Sequence, residues 1–580
     1  MEGQPVQDQP VVQRRRWVIP VVAIIIVLLI IAAAFLVLVV FKPKLQIELW
    51  YNSDGHYGGT EPDLAQVLQA SIQASGKIQV NLKSDPWAVY KQNWANQRMP
   101  LFLLGWYPDY FDSDDYVSPF MSISGAKSLG SFYNNSQVDG LVTQEQSTTN
   151  TATRTSLFAQ IQGKISDDVP YVPLFSGNAQ VAYDSTVTGV VLHPVTFKWF
   201  IINKPSATEL KAATTDKIID LDPASAYDFF SIEVINQVFD TLLVYEPKQT
   251  KLIPGLATEV PTVANGGISA DGKNYTYHLR SGVTFHDGTP LNSSVVARSI
   301  NRAVRLNLAG SAAFLLYDVG GLGRSAATGN NTTAGAIVTP DPSTIEFHLN
   351  KPLSFFNDLM AFSVAAPVPW NYNQNGKQPN TAAIISGTGP YKLTTYTAAQ
   401  LVVLDANPSY YGSGLYNDTS IPSADRVASV PIMPKVSIQI LQQATSLKQS
   451  IETKAVDVAF RTLDPADLKD LQTRATALGL KVDVGASPQI RYLVFNVNLV
   501  PDVRVRRAIA YLVDRPLIDE TVFKGLVEPL YSMVPSAMPY ASPVFQSAYG
   551  DANVAAANSI LSQLGYAVIF EKEAIARDLR

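Results

Sequence analysis

The stretch that decides the fold is LFLLGWYPDYFD, residues 101–112. Its first four residues are apolar, and a short apolar run that ends at a glycine predicts a central, buried β-strand. In open α/β sheets, ligands bind in the crevice outside the carboxyl ends of the strands. We therefore expect the aromatic and acidic residues after this strand to lie where a small molecule is held. These residues are Trp106, Asp109, Asp112 and Asp114.

The sequence before this stretch predicts a β-α-β unit. Residues 45–50 alternate between apolar and polar, as in a half-buried strand, and residues 78–82 alternate again. Between them, Thr60 is a candidate helix cap, Pro62 lies in the first turn, and Gly76 ends the helix. A unit of this kind joins two parallel strands of one sheet with a right-handed crossover.

The rest of the chain predicts a mixed α/β structure, with strands after residue 208 that are mostly short and antiparallel because turn signals are frequent. Asn292 is the expected cap of a following helix. Residues 502–513 predict a helix whose apolar residues face inward and whose arginines face outward. Further strands are predicted at residues 170–175, 180–183, 436–440, 456–460 and 492–497.

Composition excludes several classes of function. The chain has 580 residues, which is enough for two or three domains. Its net charge is -5 and only 16% of its residues are charged, so no basic stripe indicates nucleic-acid binding. There are no cysteines, which excludes disulfides, thiolate metal sites, a cysteine nucleophile and a lipidated cysteine anchor.

An apolar segment near the N-terminus predicts a single membrane anchor. Residues 17–41 contain no charged side chain, and a helix of that length would extend about 37 Å, enough to cross a bilayer. A cleavable signal peptide has a shorter apolar region, and a buried core helix is rarely this long. Residues 14–16 are all arginine, which places the short N-terminus inside the cell and the body outside.

The sequence gives no sign of an enzyme. The five histidines show no metal-ligand spacing, no Gly-x-Ser-x-Gly motif occurs, and we predict no catalytic residue, metal or cofactor. The acidic residues after residue 106 leave three interpretations open: a site for a hard cation, a solvated acidic loop, or a carboxylate that faces an amine or hydroxylated ligand beside an aromatic wall. These residues are Asp109, Asp112, Asp114 and Asp115.

Aromatic residues are dense in the same region. Core packing accounts for some of them, and flat rings near strand ends also suit a pocket for peptides or sugars. They are Trp50, Tyr51, Tyr57, Trp87, Tyr90, Trp94, Trp106 and Tyr107.

Several segments together resemble the peptide/nickel-type extracellular solute-binding proteins of ABC importers, known as family 5. Residues 285–291 (FHDGTPL) are similar to the family signature before a helix, and residues 387–391 (GTGPY) to its central glycine-rich turn. Residues 407–411 are similar to the segment that follows, and residues 492–515 to a strand and helix of the second lobe. The stretch 104–112 is similar to a segment near the C-terminus of the family.

The order of these segments differs from that of the family. The part that resembles the family's C-terminal segment, residues 45–203, here precedes the rest, residues 208–566. Because the two parts complement each other without overlap, a circular permutation is the favoured interpretation, and its two new ends are expected in the second lobe. The alternatives are a rearranged or misassembled, non-functional copy, and a remnant fused to a truncated second copy.

The resemblance implies a two-lobed α/β periplasmic-binding-protein-like fold (class II, cluster C type) with mixed sheets, preceded by one transmembrane helix. The expected divisions are a cytoplasmic N-terminus (1–16), the anchor (17–41), a second-lobe portion (44–165), a return to the first lobe (166–203), the first lobe with its extra subdomain (208–463), the remaining second lobe (464–566) and an unassigned tail (567–580).

The implied function is the capture of a peptide between two lobes and its delivery to ABC permease and ATPase subunits, from the outer face of the cell membrane. An oligosaccharide is the alternative ligand. In peptide binders of the family, the first Asp after the Gly-Trp pair contacts the ligand's amino terminus, and that position is Asp109. The predicted ligand-binding residues are Asp109, Trp106, Tyr107 and Asp112. For Arg491 and Arg504, surface salt bridges are favoured over a carboxylate-binding role.

Overall fold

The structure is a computed structural model and describes residues 27, 44–332 and 335–566. Within these residues, no helix combines the length and the apolar character that a membrane crossing requires. The predicted anchor at residues 17–41, apart from Val27, lies outside the described residues. The predicted cytoplasmic segment (1–16) and tail (567–580) also lie outside them.

Sixteen strands occur in the described part of the chain. They are β1 (Leu45–Asn52), β2 (Ile78–Asp85), β3 (Leu101–Trp106), β4 (Tyr171–Asp184), β5 (Leu210–Thr214), β6 (Leu243–Tyr245), β7 (Leu252–Pro254), β8 (Asn274–His278), β9 (Ile337–Asp341), β10 (Thr344–His348), β11 (Tyr391–Thr397), β12 (Leu401–Ala406), β13 (Lys435–Ile440), β14 (Val458–Phe460), β15 (Leu480–Phe495) and β16 (Glu528–Pro529).

The α-helices of the same residues lie mainly between the strands. Their bounds are Glu61–Gln73, Trp87–Ala95, Ser118–Met121, Ile123–Ser128, Ser136–Gln146, Thr151–Asp168, Phe229–Val238, Ser293–Leu306, Phe356–Leu359, Ala444–Glu452, Pro465–Leu478, Val503–Leu512, Arg515–Ile518, Val544–Ala548 and Val554–Gln563.

One large mixed sheet organises the molecule. Its strand order is β11-β12-β13-β5-β14-β4-β15-β3-β1-β2, with β16 paired to β4. A three-stranded sheet, β8-β10-β9, and the pair β6-β7 lie apart from it. The α/β class with a mixed sheet is therefore confirmed, and strands from residues 45–106 and from residues 480–495 share one sheet because β3 pairs with β15.

The predicted β-α-β unit is present. Strands β1 and β2 pair in parallel, with Leu45 opposite Ile78, and the helix between them has Pro62 in its first turn. The predicted central strand is β3, whose first four residues are all buried. Thr60 occupies the predicted cap position, but its side chain makes no capping bond. Asn292 does cap its helix, since its side chain accepts a hydrogen bond from the Val295 amide.

Apolar side chains form four cores, three of them along the large sheet and one around the three-stranded sheet. Core 1 contains β1–β3 and draws on residues 47–175 and 490–561. Core 2 draws on residues 181–460, and core 3 packs the three-stranded sheet against the helix Ser293–Leu306. Core 4 packs the helices Ala444–Glu452 and Pro465–Leu478 beside β14. Strand β4 passes from core 1 to cores 2 and 4, and strand β15 from core 1 to core 4.

The long strands differ from the sequence prediction. The two strands predicted at 170–175 and 180–183 are one strand, β4, and the strand predicted at 492–497 begins earlier, at Leu480. Their antiparallel pairing is irregular between Ala486 and Ile490. Local periodicity did not reveal this continuity because the half-buried residues 177–180 lie between the cores, where neither core imposes an alternating pattern.

Two arginines are buried where the sequence predicted exposed positions. Arg506 belongs to the helix Val503–Leu512 and donates to the carbonyl oxygens of Asp168 and Val500. Arg491 is only 4% exposed and forms an ion pair with Glu61. Both predictions were wrong because these guanidinium groups satisfy buried acceptors from distant parts of the chain. Arg504 does form an exposed ion pair, with Asp502.

Candidate ligand-binding site

A cavity lies where core 1 meets cores 2 and 3. The loop after β3 forms one wall, and the helix Phe229–Val238 and the segment 358–363 form much of the other. The cavity has a volume of about 40 Å³, which is room for about three water molecules. The lining residues are Tyr107, Pro108, Asp109, Val195, Thr196, Phe229, Ile232, Glu233, Asn236, Tyr245, Asp358, Ala361, Phe362 and Ser363.

The loop begins at Gly105, near the end of β3, where the side chains of Arg491 and Tyr57 leave little room for a Cβ atom. A Cβ atom at Gly105 would lie 2.7 Å from Nη1 of Arg491 and 2.9 Å from the ring of Tyr57. Beyond it, Tyr110 enters core 3 and stacks on Phe355, with 4.8 Å between the ring centroids. The loop thus starts in one core and is fixed in another.

Asp109 is the buried carboxylate of this loop. It is 7% exposed, and both of its carboxylate oxygens lie 2.7 Å from the hydroxyl of Tyr227, which packs against core 3 and donates to them. The Asp109 amide donates to Oδ2 of Asp115 at 2.7 Å. Burial raises the pKa of Asp109 to about 7, although the hydrogen bond from Tyr227 opposes this rise. The carboxyl group can therefore gain or lose a proton near neutral pH.

Tyr107 also spans the two walls. Its hydroxyl donates to the carbonyl oxygen of Pro194 at 2.8 Å, and its ring meets the ring of Phe229 edge-on at 4.5 Å. Burial raises the pKa of Tyr107, so it stays a neutral donor.

The other two predicted site residues hold the loop and do not line the cavity. Trp106 donates from its indole nitrogen to Oδ2 of Asp115 at 3.2 Å. Asp112 accepts two hydrogen bonds from Arg154, at 2.7 and 2.8 Å, and also caps the turn that follows. Whether any of the four predicted residues touches a ligand stays a prediction.

The remaining aromatic residues of the predicted set pack away from the cavity. Trp94 meets Trp87 edge-on at 5.4 Å and stacks on Phe102 at 6.5 Å, beside the sheet. Of the eight aromatic residues that the sequence singled out, Tyr107 alone lines the cavity. The predicted acidic residues Asp114 and Asp115 are fully buried within the loop, where Asp114 accepts a hydrogen bond from Gln146 at 3.0 Å.

The opposite wall contains residues that the sequence analysis missed. Phe229, Ile232, Glu233 and Asn236 line the cavity from one helix, at a spacing that places them on one helical face. The other face of the helix packs into core 2. The sequence did contain a sign of a functional position here, because Glu233 is the one acidic residue in the apolar helix sequence FFSIEVINQV.

Glu233 carries an unusual carboxyl group. It is 1% exposed, and Oε1 accepts a hydrogen bond from the indole nitrogen of Trp199 at 2.8 Å. Burial raises the pKa of Glu233 to about 8, and the charge of Arg461 and the bond from Trp199 counteract part of that rise. Burial likewise raises the pKa of Asp358, a third carboxyl group of the lining, to about 8.

Comparison with known proteins places this sequence in a family. The sequence model of the bacterial extracellular solute-binding proteins, family 5 (middle), matches residues 251–574. The chain belongs to family 5. Its α/β mixed-sheet fold agrees with that membership.

Individual relatives of this family 5 chain are distant. The glutathione-binding protein GsiB of Escherichia coli (strain K12) is 26% identical over 366 residues, which cover 62% of each chain. The oligopeptide-binding protein OppA of Bacillus subtilis (strain 168) is 25% identical over 327 residues, or 55% of each chain. The chain thus spans less than two thirds of the length of these relatives.

Solved structures also show similarity. The murein tripeptide binding protein MppA of Escherichia coli matches with a TM-score of 0.46 and 21% identity, over 62% of this chain and 67% of that one. AgaA of A. tumefaciens R10, in complex with agropinic acid, matches with a TM-score of 0.44 and 21% identity, over 62% of this chain and 64% of that one.

Proposed function

We propose that this protein is a membrane-anchored extracytoplasmic solute-binding protein that captures short peptides between the two walls of the cavity and delivers them to the permease and ATPase subunits of an ABC importer. The walls must separate to admit a peptide, because the space between them now has room for only about three water molecules. Family 5 membership supports the general role. Two relatives, GsiB and OppA, are named as glutathione-binding and oligopeptide-binding proteins. The anchor in this proposal is the uncharged segment 17–41.

The observation that carries the peptide assignment is the buried carboxylate of Asp109 at the wall of an enclosed cavity. A peptide's amino terminus is a cation with three donors, and a charge-assisted hydrogen bond of this kind contributes about 1.5–3 kcal/mol. The pKa of Asp109, about 7, would fall when an ammonium group arrived, because the opposite charge favours the carboxylate.

Closure of two lobes on the ligand supplies the signal to the permease. The contacts between the loop and the other cores include hydrogen bonds, such as Asp109 with Tyr227 and Tyr107 with Pro194, and ring contacts, such as Tyr110 with Phe355. Strands β4 and β15 run between the cores and provide the hinge in this proposal. A ligand that touches both walls binds the closed form more tightly than the open form and therefore shifts the equilibrium toward closure.

We also propose that the chain is a circular permutation of the family order. The family match covers residues 251–574, and residues 45–106 supply strands of the same sheet. The amide of Leu45 donates to the carbonyl oxygen of Lys77 at 2.9 Å, and Lys77 contacts the carbonyl oxygen of Asn558 at 3.1 Å. The start of β1 therefore lies beside the helix Val554–Gln563, so a short linker could join residue 566 to residue 45.

The permutation can be tested by restoring the family order. In a reordered chain, residues 208–566 come first and a flexible linker of about eight residues leads to residues 45–203. We expect a cooperative thermal transition and the same ligand response as in the natural order. A reordered chain that fails to fold, while residues 44–566 in their natural order do fold, would contradict the proposal.

The peptide function can be tested by thermal shift and titration calorimetry with residues 44–566. We expect short peptides with a free amino terminus to raise the melting temperature by mass action. Asp109→Asn should weaken peptide binding about tenfold or more, and the same substitution at the exposed Asp318 should not. N-acetylated peptides should bind the natural protein as weakly as free peptides bind the Asp109 variant.

Two outcomes would overturn the peptide assignment. One is stabilisation by oligosaccharides and none by peptides. The other is equal affinity of the natural protein for free and acetylated peptides. Equal affinity would mean that the ammonium group contributes nothing to binding, so Asp109 would not have the proposed role.

A further inference from the structure

The cavity has a second polar region, across from the loop that carries Asp109. Glu233 lies on the cavity-facing side of the helix Phe229–Val238, and Thr196 and Ser363 line the same cavity from other segments. All three residues are buried, with exposures of 1%, 7% and 1%. They contribute a carboxylate and two hydroxyl groups to one enclosed space.

Each of these side chains has an unused hydrogen-bonding atom. Within the described residues, Oε2 of Glu233, Oγ1 of Thr196 and Oγ of Ser363 have no hydrogen-bond partner. Buried polar groups in native proteins are nearly always paired, and an unpaired one opposes folding. The cavity has room for about three water molecules, and a ligand that displaced them would complete the hydrogen bonds of these three atoms.

The charge of the lining selects the kind of ligand. The fourteen lining residues include three carboxyl groups, those of Asp109, Glu233 and Asp358, and no lysine, arginine or histidine. The nearest cation to Glu233 is Arg461, whose Nη2 lies 3.6 Å from Oε2. This distance is too long for a hydrogen bond, and the guanidinium group stacks on Phe229 at 3.2 Å from the ring centroid.

We propose that Glu233, with Thr196 and Ser363, forms a subsite for a second cationic group of the ligand, such as the side-chain ammonium of a short basic peptide. The inference rests on the proposed function, in which Asp109 holds the peptide's amino terminus. An ammonium group has three donors and no acceptor, which complements one carboxylate oxygen and two hydroxyl oxygens. The substrate class is therefore short peptides that carry a lysine-like or arginine-like side chain.

The subsite is acidic despite Arg461. That guanidinium group also faces Asp216, with its Nε 3.7 Å from the carboxylate, so its charge is shared between two carboxyl groups. A ligand cation at Glu233 favours the ionised carboxyl group, and binding near neutral pH should release a proton. This release gives the proposal a readout besides affinity.

The test compares peptides that differ only in the second charge. Titration calorimetry measures Ala-Lys-Ala and Ala-Ala-Lys against analogues in which norleucine replaces lysine, with the natural protein and with Glu233→Gln. We expect at least one lysine peptide to bind about tenfold more tightly than its analogue. The Glu233 variant should lose this preference, so that each lysine peptide and its norleucine analogue bind it with equal affinity.

Proton release provides a second measurement. Titrations at pH 7 in two buffers of different ionisation enthalpy should show more protons released by the favoured lysine peptide than by its analogue. The excess should disappear in Glu233→Gln. A matched control is Glu246→Gln, which removes a buried carboxylate that is not part of the lining and should leave the lysine preference unchanged.

A second variant keeps the test valid if Glu233→Gln fails to fold. Ser363→Ala removes one unpaired hydroxyl, so it should fold at least as well as the natural protein and reduce the lysine preference about threefold. Binding of all peptides without a lysine preference would overturn this inference and leave the proposed function intact. A preference for Ala-Glu-Ala would overturn it in favour of a carboxylate site at Arg461, and the absence of any peptide binding would overturn the proposed function itself.

Discussion

The hydrogen bond between Tyr227 and Asp109 joins the loop after β3 to a side chain that packs against core 3, and its removal tests the closed arrangement. Tyr227→Phe deletes the hydroxyl that lies 2.7 Å from both carboxylate oxygens of Asp109. The substitution keeps the ring, which meets Phe314 edge-on at 5.8 Å, so the packing of the wall is preserved. The expected result is a shift of the unliganded protein toward an open form.

The size of the shift follows from the charge of the acceptor. At pH 8, Asp109 is mostly ionised because its pKa is about 7, and a hydrogen bond to a charged group contributes about 1.5–3 kcal/mol. Its loss should increase the ratio of open to closed forms by about 10- to 150-fold. At pH 5.5 the carboxyl group is protonated, and a bond between neutral groups contributes about 0.5–1.5 kcal/mol. The effect of the variant should therefore be smaller at low pH.

Single-molecule energy transfer can measure this shift. Because the chain contains no cysteine, dyes can be attached only at introduced cysteines, for example at the exposed Lys127 beside core 1 and the exposed Lys469 beside core 4. Tyr317→Phe is a matched control, since Tyr317 is half-buried and also packs against core 3, whereas the bond to Asp109 comes from Tyr227. Identical distance distributions for the natural protein and Tyr227→Phe at pH 8 would refute the reasoning, as would equal opening in the control.

Three further predictions concern stability. Glu233→Gln should gain stability relative to the natural protein, by about 2 kcal/mol in total, as the pH rises from 6 to 8. The reason is that the natural folded state binds a proton with a pKa of about 8, whereas the unfolded chain loses it near pH 4.5. A difference that does not change with pH in urea titrations would exclude this. Glu61→Ala should cost about 3–5 kcal/mol in the free energy of unfolding because it leaves Arg491 buried without its partner, and a loss below 1 kcal/mol would show that the pair is not needed. Gly105→Ala should cost about 1–3 kcal/mol, measured by thermal and urea unfolding, because the new methyl group meets Arg491 and the ring of Tyr57; an unchanged melting temperature would contradict it.

The sign of the pH prediction comes from the raised pKa of Glu233. The stabilising effect of the bound proton is fully present below pH 4.5, and it is lost as the pH rises to about 8, where the folded protein also releases it. Glutamine carries no such proton, so the difference between the two proteins isolates this group from the other titrating groups of the chain.

Local patterns in the sequence determined the parts of the fold that depend on neighbouring residues. The alternation at residues 45–50, the apolar run before Gly105 and the cap at Asn292 each reflect a period or a bond within a few residues. The family resemblance was also readable, because its motifs are short and contiguous, and it directed attention to Asp109.

The tertiary structure alone decided how the site is assembled. Glu233 and Asp109 are 124 positions apart in the chain, and they line one cavity only because β3 and the helix Phe229–Val238 end up on opposite walls. The burial of Arg491 against Glu61 has the same origin, since the partners come from strands and helices far apart in sequence. Hydrophobic periodicity indicates which side of a helix or strand is buried. It does not indicate which distant helix or strand covers that side. The partner of a buried charge depends on that distant element, so only the tertiary structure identifies it.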